Sequence, residues 1–484
     1  MLKRSAIGRS IWSVPDAADS SSCGLVDRLS KEVPRMNDIV LTGLDSADGY
    51  YSSAEPSFIT LLVKLVIIMV ALVVVVDGAL PQLEMAITGG SLFLTLKPHI
   101  WLIIGLVFML LLKGRFQASA LLPLVLTLLS YAIIEVCFLH FFRDLDFSTI
   151  RRSLEYFVLI LIVGAASVVP LKIKGGQILG ALVVITFACL TLSAAQFLTN
   201  LPVVATQSSD RTFEVEAYQF FGRTRAFSLF GSALQAGIFY SLMGGIATSF
   251  CLRRGRRNFG LFLLPLCAFG CYATYTRLVM FGFLLTAIAV FMMSRKKLAR
   301  FSLFLPIFSL GCAMLLIGQG VRTAGGAGRN DLANSASLDQ RVLNWGVYAK
   351  KLMAESPIDL LFGTGLGPYA PYTMADRPDN AAPVPVDNAY LLILLSTGVC
   401  GLVLLSVAYW RFWTFLHNRA TASPGHLFNG ITAMFATVPL FCAISDPPTQ
   451  IISMLLFAVA VDPDDDVTLP SRHSIMADHQ PELA

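Results

Sequence analysis

Long apolar runs, separated by short polar segments, fill the chain from residue 58 to residue 461. A helix needs roughly 20 apolar residues to cross a bilayer, and most of these runs approach that length. The pattern therefore predicts an all-α polytopic membrane protein with about 12 transmembrane helices. The predicted spans are 58–80, 92–112, 121–142, 154–171, 178–198, 227–251, 259–275, 278–293, 301–320, 388–410, 427–444 and 451–461.

Polar sequence flanks and interrupts this membrane region. Residues 1–56 mix serine, aspartate and basic side chains without a useful apolar stretch, which is typical of a disordered cytoplasmic tail. Transmembrane helices are expected over 57–320 and 387–462, and a second cytoplasmic tail over 463–484. Between the two membrane regions, residues 321–386 form a large loop after the ninth predicted helix. Loops of this length are usually functional or disordered.

The orientation follows from the basic residues, which concentrate in every second short loop. Lysine and arginine in short loops face the cytoplasm, so both termini are predicted to be cytoplasmic and the 321–386 loop to lie outside. The basic loops contain Lys113 and Arg115, Lys172 and Lys174, Arg253 to Arg257, Arg295 to Arg300, and Arg411 with Arg419.

Composition narrows the class of protein. Apolar residues make up 55% of the 484 residues and charged residues only 14%, with a mean hydropathy of +0.69. Soluble domains carry about 25% charged residues, so a soluble enzyme is excluded. The net charge of +5 is small and spread out, which does not support a nucleic-acid partner. The 9 cysteines form no CxxC pair and the 6 histidines show no metal-ligand spacing, so neither a metal nor a cofactor is expected.

The outer loop has its own helical pattern. A capping box at residues 337–340 precedes apolar residues at helical spacing up to Ser356–Pro357, which predicts an amphipathic helix on the outer membrane surface. The glycines of Gly363-Thr-Gly-Leu-Gly367 lack the spacing of a nucleotide-binding loop, and tight backbone turning explains them better.

Arg277 is the strongest candidate for chemistry. It lies between two apolar runs whose other ends are both basic, so it is predicted to occupy the outer tip of a helical hairpin. An arginine at membrane depth normally needs an anionic partner, and a guanidinium matches phosphate oxygens bidentately. The sequence favours an anion site, most plausibly for a phosphate. The alternative is an interfacial arginine whose side chain snorkels to the membrane surface.

Other outward polar residues are weaker candidates. Arg341 lies one turn before Trp345 on the predicted loop helix, where a solvated surface charge is the alternative. Arg223 and Arg225 directly precede the next span and are candidates to line the same outer cavity, although nearby acids favour salt bridges.

A polar group also opens the tenth span. Asp387, Asn388 and Tyr390 lie at its entrance and are candidates to hold a sugar or to orient a hydroxyl. Asp387 is equally well explained as the N-cap of the helix.

Taken in order, these motifs resemble one family. The order is Arg225-Ala-Phe-Ser-Leu-Phe-Gly231, Thr276-Arg277, Arg341 with Trp345, Pro357, the Gly363–Gly367 run, Asp387-Asn-Ala-Tyr-Leu391 and Gly398-Val-Cys-Gly401. Residues 200–410 thereby resemble the O-antigen ligase and Wzy-type polysaccharide polymerase superfamily of bacterial inner-membrane proteins. The resemblance implies a fold similar to membrane-embedded GT-C-type glycosyltransferases and places the outer loop in the periplasm.

The resemblance also implies roles for individual residues. Arg277 and Arg341 match the arginines that bind the diphosphate of a lipid-linked sugar donor, and Asp387 is a candidate general base. Ligases commonly carry His-Asn where this chain has Asp387-Asn388, and that departure favours a polymerase.

The implied activity is a glycosyltransferase that joins undecaprenyl-diphosphate-linked oligosaccharide repeat units into exopolysaccharide or O-antigen at the periplasmic face of the inner membrane. The implied partners are the lipid-linked oligosaccharide, membrane lipid, and a flippase and chain-length regulator of the same export pathway. The alternatives are an O-antigen ligase and a polysaccharide-precursor transporter or flippase. A carrier is disfavoured because the two halves show no repeat and the polar candidates lie near the outer interface.

Overall fold

A computed structural model describes most of the membrane region. The described residues are 58–75, 93–113, 121–143, 162, 164–169, 171–200, 219–220, 223–230, 232–295, 297–324, 345–348, 350–352, 354, 356–364, 388–422, 425–442, 456–459 and 461–462. In some of them, including 219–220, 223–224 and 316–324, only the backbone is described. The two predicted tails, 1–56 and 463–484, lie outside these residues.

Helices occupy the predicted apolar runs. They are α1 (Phe58–Val75), α2 (Phe93–Lys113), α3 (Leu122–Arg143), α4 (Gly175–Thr199), α5 (Ala233–Leu252), α6 (Arg257–Ala273), α7 (Arg277–Ser294), α8 (Ala299–Ser302), α9 (Leu305–Ala324), α10 (Pro357–Phe362), α11 (Ala389–Ala422) and α12 (His426–Cys442). Within the described residues, α4, α5, α7 and α11 are long and apolar enough to cross a membrane. The chain is therefore a predominantly helical membrane protein, and the full number of spans stays a prediction.

Two short strand pairs accompany the helices. β1 (Ile173–Lys174) pairs in parallel with β4 (Val461–Asp462), so the start of α4 and the end of the last apolar run lie side by side. The orientation predicted from basic residues requires those two segments to share one face of the membrane. β2 (Gln219–Phe220) and β3 (Arg223–Thr224) form an antiparallel hairpin before α5.

Helix α5 lies at the centre of the bundle formed by α4 to α7 and α12. Its most apolar window is 78% buried, against 39% for α4 and 44% for α7. Glycines bring its neighbours close, because a Cβ on Gly237 would lie 2.3 Å from Val279 of α7 and one on Gly245 would lie 3.4 Å from Gly430 of α12. Small residues at helix contacts are what drives close packing in lipid, where the hydrophobic effect between helices is absent.

The bundle has two chemically different ends, the basic end and the loop end. The basic end carries Lys174, Arg253 to Arg257 and Arg295, at the start of α4 and α6 and the ends of α5 and α7. The loop end carries the α6–α7 turn and the start of α11.

One predicted helix end is wrong. The span predicted to stop at residue 410 continues to Ala422, so Arg411 and Arg419 belong to helix α11 and not to a loop. The helix is instead broken at Gly398 (φ 65°, ψ −168°). The described helical residues of the loop helix end before Ser356–Pro357, as predicted. Ser356–Pro357 also starts a separate helix, α10, because the Ser356 hydroxyl accepts a hydrogen bond from the Asp359 N–H (3.3 Å). A proline at the first helical position suits a helix start as well as a helix stop.

Candidate active site at the loop end

The α6–α7 turn places Arg277 at the tip of a helical hairpin. Hydroxyls fix this turn: Thr274 donates to the Cys271 carbonyl (2.7 Å) and Thr276 donates to the Thr274 carbonyl (3.1 Å). Tyr275 between them adopts a positive φ of 48°. Arg277 then begins α7 with an exposed side chain. The tip position expected from the sequence is thus what the fold provides, while the role of Arg277 stays a prediction.

The segment that carries Arg225 is held against this turn. The Ala226 N–H donates to the Ala273 carbonyl (3.0 Å), which joins the segment to the end of α6. From the other side, the side-chain oxygen of Gln196 accepts hydrogen bonds from the N–H groups of Phe227 (3.0 Å) and Ser228 (2.8 Å). Arg225 is half-buried and lies one residue from the first of these bonds. Arg223 lies on β3, where only the backbone is described.

A buried polar cluster beneath Arg225 was missed by the sequence analysis. Ser193, Gln196, Ser228 and Tyr240 are each fully buried, and the Ser193 and Tyr240 hydroxyls lie 2.8 Å apart. In the part of the chain that the structure describes, the Gln196 amide nitrogen has no hydrogen-bond partner. Buried polar groups normally find partners, so this cluster has capacity for a polar ligand or water. A glutamine within the apolar run 178–198 was the available signal.

The loop helix, defined as the helical residues 345–348 and 350–352, packs on the start of α11. Tyr348 is buried in a small apolar cluster with Leu392 and Leu395, against which Leu352 and Leu391 also pack. Trp345 is 7% exposed, and no acceptor for its indole N–H is found among the described residues. The structure therefore brings Trp345 to the end of the bundle where α11 begins. Arg341 lies outside the described residues.

Asn388 caps helix α11. Its side-chain oxygen accepts a hydrogen bond from the Leu391 N–H (3.1 Å), and its own carbonyl accepts from Leu392 (2.9 Å). The prediction that Asp387 is the N-cap is wrong by one residue. Both side chains suit a cap, and only the backbone path decides which residue takes the position. Asp387 itself lies outside the described residues.

Tyr390 makes a contact within the protein. Its hydroxyl donates to the carbonyl of Pro439 in α12 (2.9 Å). Pro439 has no N–H, so the carbonyl of Phe435 one turn earlier loses its helical partner. The Tyr409 hydroxyl donates to that carbonyl (2.8 Å). Tyr390 and Tyr409 thus fasten α11 to α12, which is a structural alternative to the predicted sugar-binding role of Tyr390.

Helix α12 packs against both helices that carry candidate residues at their starts, α7 with Arg277 and α11 with Asn388. Gly282 of α7 lies so close to the ring of Phe441 that a Cβ there would be 2.3 Å away. Phe441 follows Pro439, the residue that Tyr390 contacts, by two positions. The helix headed by Arg277 and the helix headed by Asn388 therefore pack against the same end of α12.

Gly363 confirms the predicted backbone turn in the outer loop, and its close contacts show why a glycine is needed there. Its φ is 76°, and a Cβ on it would lie 2.2 Å from the Ser396 carbonyl oxygen. A Cβ on Gly398 would lie 2.2 Å from the Leu361 carbonyl oxygen in return. The Thr364 N–H donates to the Leu395 carbonyl (2.9 Å). The end of α10 is thereby docked into the break in α11.

Glu135 of α3 was also missed. It is 5% exposed, and neither carboxyl oxygen has a hydrogen-bond partner in the described ranges. One turn earlier, the Tyr131 hydroxyl donates to the Thr397 carbonyl (3.0 Å) beside the break in α11. Ionisable residues within membrane helices are expensive and usually functional, and the lone acid in the run 121–142 was the signal.

Comparison with known protein families supports the resemblance found in the sequence motifs. Residues 261–406 match the family model Wzy_C, described as O-antigen ligase. The matched segment starts within α6 and ends within α11, so it contains the Arg277 turn, the outer loop and Asn388. No match was found among curated proteins. The resemblance inferred from the sequence motifs is therefore confirmed over this segment.

Proposed function

Since residues 261–406 match the O-antigen ligase family, we propose that the protein transfers glycan from a lipid-linked donor at the loop end of its bundle. Specifically, it is a polymerase that joins undecaprenyl-diphosphate-linked repeat units into exopolysaccharide or O-antigen. The reaction takes place at the periplasmic face of the bacterial inner membrane.

The apolar surface of α7 below Arg277 is the main support for this proposal. Met280, Leu284, Ile288 and Phe291 follow Arg277 at helical spacing, and each is between 40% and 53% exposed. Arg277 thus stands at the head of a continuous apolar stripe that runs down α7 toward the basic end. A lipid-linked diphosphate has matching chemistry, because its anionic group meets the guanidinium while its isoprenoid chain lies along the stripe.

A second basic side chain supports binding of a diphosphate. Arg225 is held near the Arg277 turn by the hydrogen bond between Ala226 and Ala273. Guanidinium groups that converge on one anion stabilise charge as it develops on a leaving group. Arg341 is proposed to add a further guanidinium from the outer loop.

The proposed reaction is a glycosyl transfer. A sugar hydroxyl of one repeat unit attacks the anomeric carbon of the growing chain. The new glycosidic C–O bond forms, the C–O bond to the diphosphate breaks, and undecaprenyl diphosphate leaves with the electron pair. Asp387 is proposed to accept the proton of the attacking hydroxyl. The arginines bind the departing diphosphate, so the protein contributes mainly position and charge stabilisation.

A ligase is the second candidate, favoured by the description of the matching family model. It would use the same donor site and transfer finished polymer to a different acceptor. The Asp387-Asn388 pair favours the polymerase, because ligases commonly carry His-Asn there.

Polysaccharide analysis in cells separates these activities. A strain lacking the protein is complemented at matched membrane levels with wild type, Arg277→Ala, or Arg295→Ala as a control from the opposite end of α7. A polymerase predicts that Arg277→Ala loses high-molecular-weight polysaccharide while single lipid-linked repeats accumulate in the periplasm. Arg295→Ala is expected to make normal polymer.

The other outcomes contradict the polymerase in distinct ways. Accumulation of full-length lipid-linked polymer indicates a ligase, and accumulation of repeats on the cytoplasmic side indicates a flippase. Normal polymer from Arg277→Ala contradicts the assignment of Arg277 in every class.

A further inference from the structure

A cleft opens at the basic end, on the opposite side of the membrane from the proposed active site. Its volume is about 570 Å³. Helix α4 forms one wall, and the α5–α6 connection with the start of α6 forms the other. The lining residues are Gly176, Leu179, Gly180, Val183, Phe250, Gly255, Arg256, Arg257, Asn258 and Phe259.

Glycines on α4 keep the cleft open. A Cβ placed on Gly176 or on Gly180 would meet nothing within 4 Å. About two to three turns further along α4, Phe187 stacks on Phe262 of α6 with ring centroids 6.3 Å apart. The two helices therefore touch within the membrane and leave a gap between them at the basic end.

The rim of the cleft is cationic. Arg256 is half-buried, with its guanidinium carbon 5.4 Å from the centroid of the Phe250 ring, and Arg257 is exposed beside it. Asn258 adds an amide donor, and no acidic residue is among those that line the cleft. Two guanidinium groups held at one rim form a site for a phosphate group.

Below the rim, the walls are apolar and continue onto the lipid-facing surface. Leu179 and Val183 line the α4 side and Phe259 lines the α6 side. The adjoining residues Leu261 and Phe262 are more than half exposed. This combination of a cationic rim with an apolar wall open to the bilayer fits a molecule that has an anionic head and a hydrocarbon tail.

We propose that the cleft binds an anionic phospholipid from the leaflet at the basic end. Its phosphate lies between Arg256 and Arg257, and one acyl chain lies along Leu179 and Val183. Basic pockets between membrane helices are suited to such headgroups. The inference does not depend on the proposed glycan transfer, because no residue is shared between the two sites.

Lipid binding to the purified full-length protein tests the proposal. The protein is exchanged into phosphatidylcholine nanodiscs and titrated with phosphatidylglycerol, and retained lipid is counted by native mass spectrometry. The double variant Arg256→Gln/Arg257→Gln is expected to bind phosphatidylglycerol roughly 30-fold more weakly, from about fivefold for each basic residue. Gly180→Leu fills the cleft without changing charge and is expected to weaken binding by a similar factor.

Arg295→Gln is the matched control, because Arg295 also lies at the basic end and stacks on a phenylalanine, Phe291, at 5.4 Å. It is expected to bind phosphatidylglycerol within twofold of wild type. Equal losses in the Arg295 and Arg256/Arg257 variants would show a diffuse charge effect and overturn the site. Unchanged binding by Gly180→Leu would overturn the cleft. Displacement of the lipid by millimolar inorganic phosphate would assign the arginines to a free anion instead.

Discussion

Helix α7 carries an arginine at each end, and the two arginines differ in their surroundings. Arg295 follows the last turn, where the partial negative charge of the helix dipole favours a cation, and its guanidinium stacks on Phe291. Arg277 opens the first turn, where the dipole is positive and disfavours a cation. The fold holds Arg225 on the same side. The charge of Arg277 thus opposes the dipole of α7, whereas the charge of Arg295 complements it.

These surroundings indicate different roles for the two arginines. A basic residue at a helix C-terminus that stacks on an aromatic ring is explained by stability and by membrane orientation. An arginine at a helix N-terminus is not explained by the helix dipole, and it fits the proposed role in binding a diphosphate. We therefore expect substitutions at the loop end to leave the basic end intact, and substitutions at the basic end to leave the loop end intact.

The largest effect is expected from the paired glycines of the outer loop. Gly398→Ala places a Cβ against the Leu361 carbonyl at a positive φ, so α10 must separate from α11. We expect a loss of about 2–4 kcal/mol in stability and loss of polymer synthesis, from backbone strain together with overpacking. Thermal unfolding of the purified protein measures the first.

Gly176→Ala is the control, since its Cβ meets nothing within 4 Å. Phosphatidylglycerol binding at the basic end should survive in Gly398→Ala at temperatures below its unfolding transition. Wild-type thermal stability of Gly398→Ala would show that the docking of α10 does not need the close approach.

A smaller effect is expected at the tyrosines that join α11 to α12. Pro439 already deprives the Phe435 carbonyl of its helical N–H partner. Tyr409→Phe also removes the hydroxyl that replaces this partner, so it should lower the free energy of unfolding by about 1–3 kcal/mol. Tyr390→Phe removes one bond to the Pro439 carbonyl and should cost about 0.5–1.5 kcal/mol.

The two variants also test the predicted sugar contact of Tyr390. If Tyr390 is structural only, activity should fall in proportion to stability in both variants. A selective loss of activity in Tyr390→Phe, at normal thermal stability, would instead support substrate binding.

The smallest effect is expected at the cap of α11. Asn388→Ala removes the bond to the Leu391 N–H and should destabilise the protein by about 1 kcal/mol, whereas Asn388→Asp should retain most of the stability. Chemical unfolding in mixed micelles compares the two. Equal stability of Asn388→Ala and wild type would show that the cap is supplied elsewhere. Activity lost in Asn388→Asp at full stability would point to a substrate contact.

The sequence predicted the elements whose signals are local. The alternation of apolar runs and basic loops gave the helices and put Arg277 at a hairpin tip, and the glycine run gave the turn at Gly363. These features depend on periodicity and backbone freedom, which each segment carries by itself.

Features that depend on distant partners were not predictable. Gly398 lies within an apolar run, and only the docking of α10 explains the break there. Gln196 and Glu135 were visible as polar residues in spans, but Phe227, whose N–H donates to Gln196, lies 31 residues further along the chain. The choice of Asn388 over Asp387 as the cap depends on a one-residue shift in the backbone path.

Binding of undecaprenyl diphosphate to the purified full-length protein tests whether Arg277 binds the diphosphate of the donor. The matched pair is Arg277→Lys and Arg295→Lys, which keep the charge at either end of α7 and remove only the guanidinium geometry. We expect Arg277→Lys to bind undecaprenyl diphosphate about tenfold more weakly than wild type, while Arg295→Lys stays within about twofold. Equal affinity of the two variants would contradict it, because Arg277 would then be an interfacial arginine whose charge alone matters.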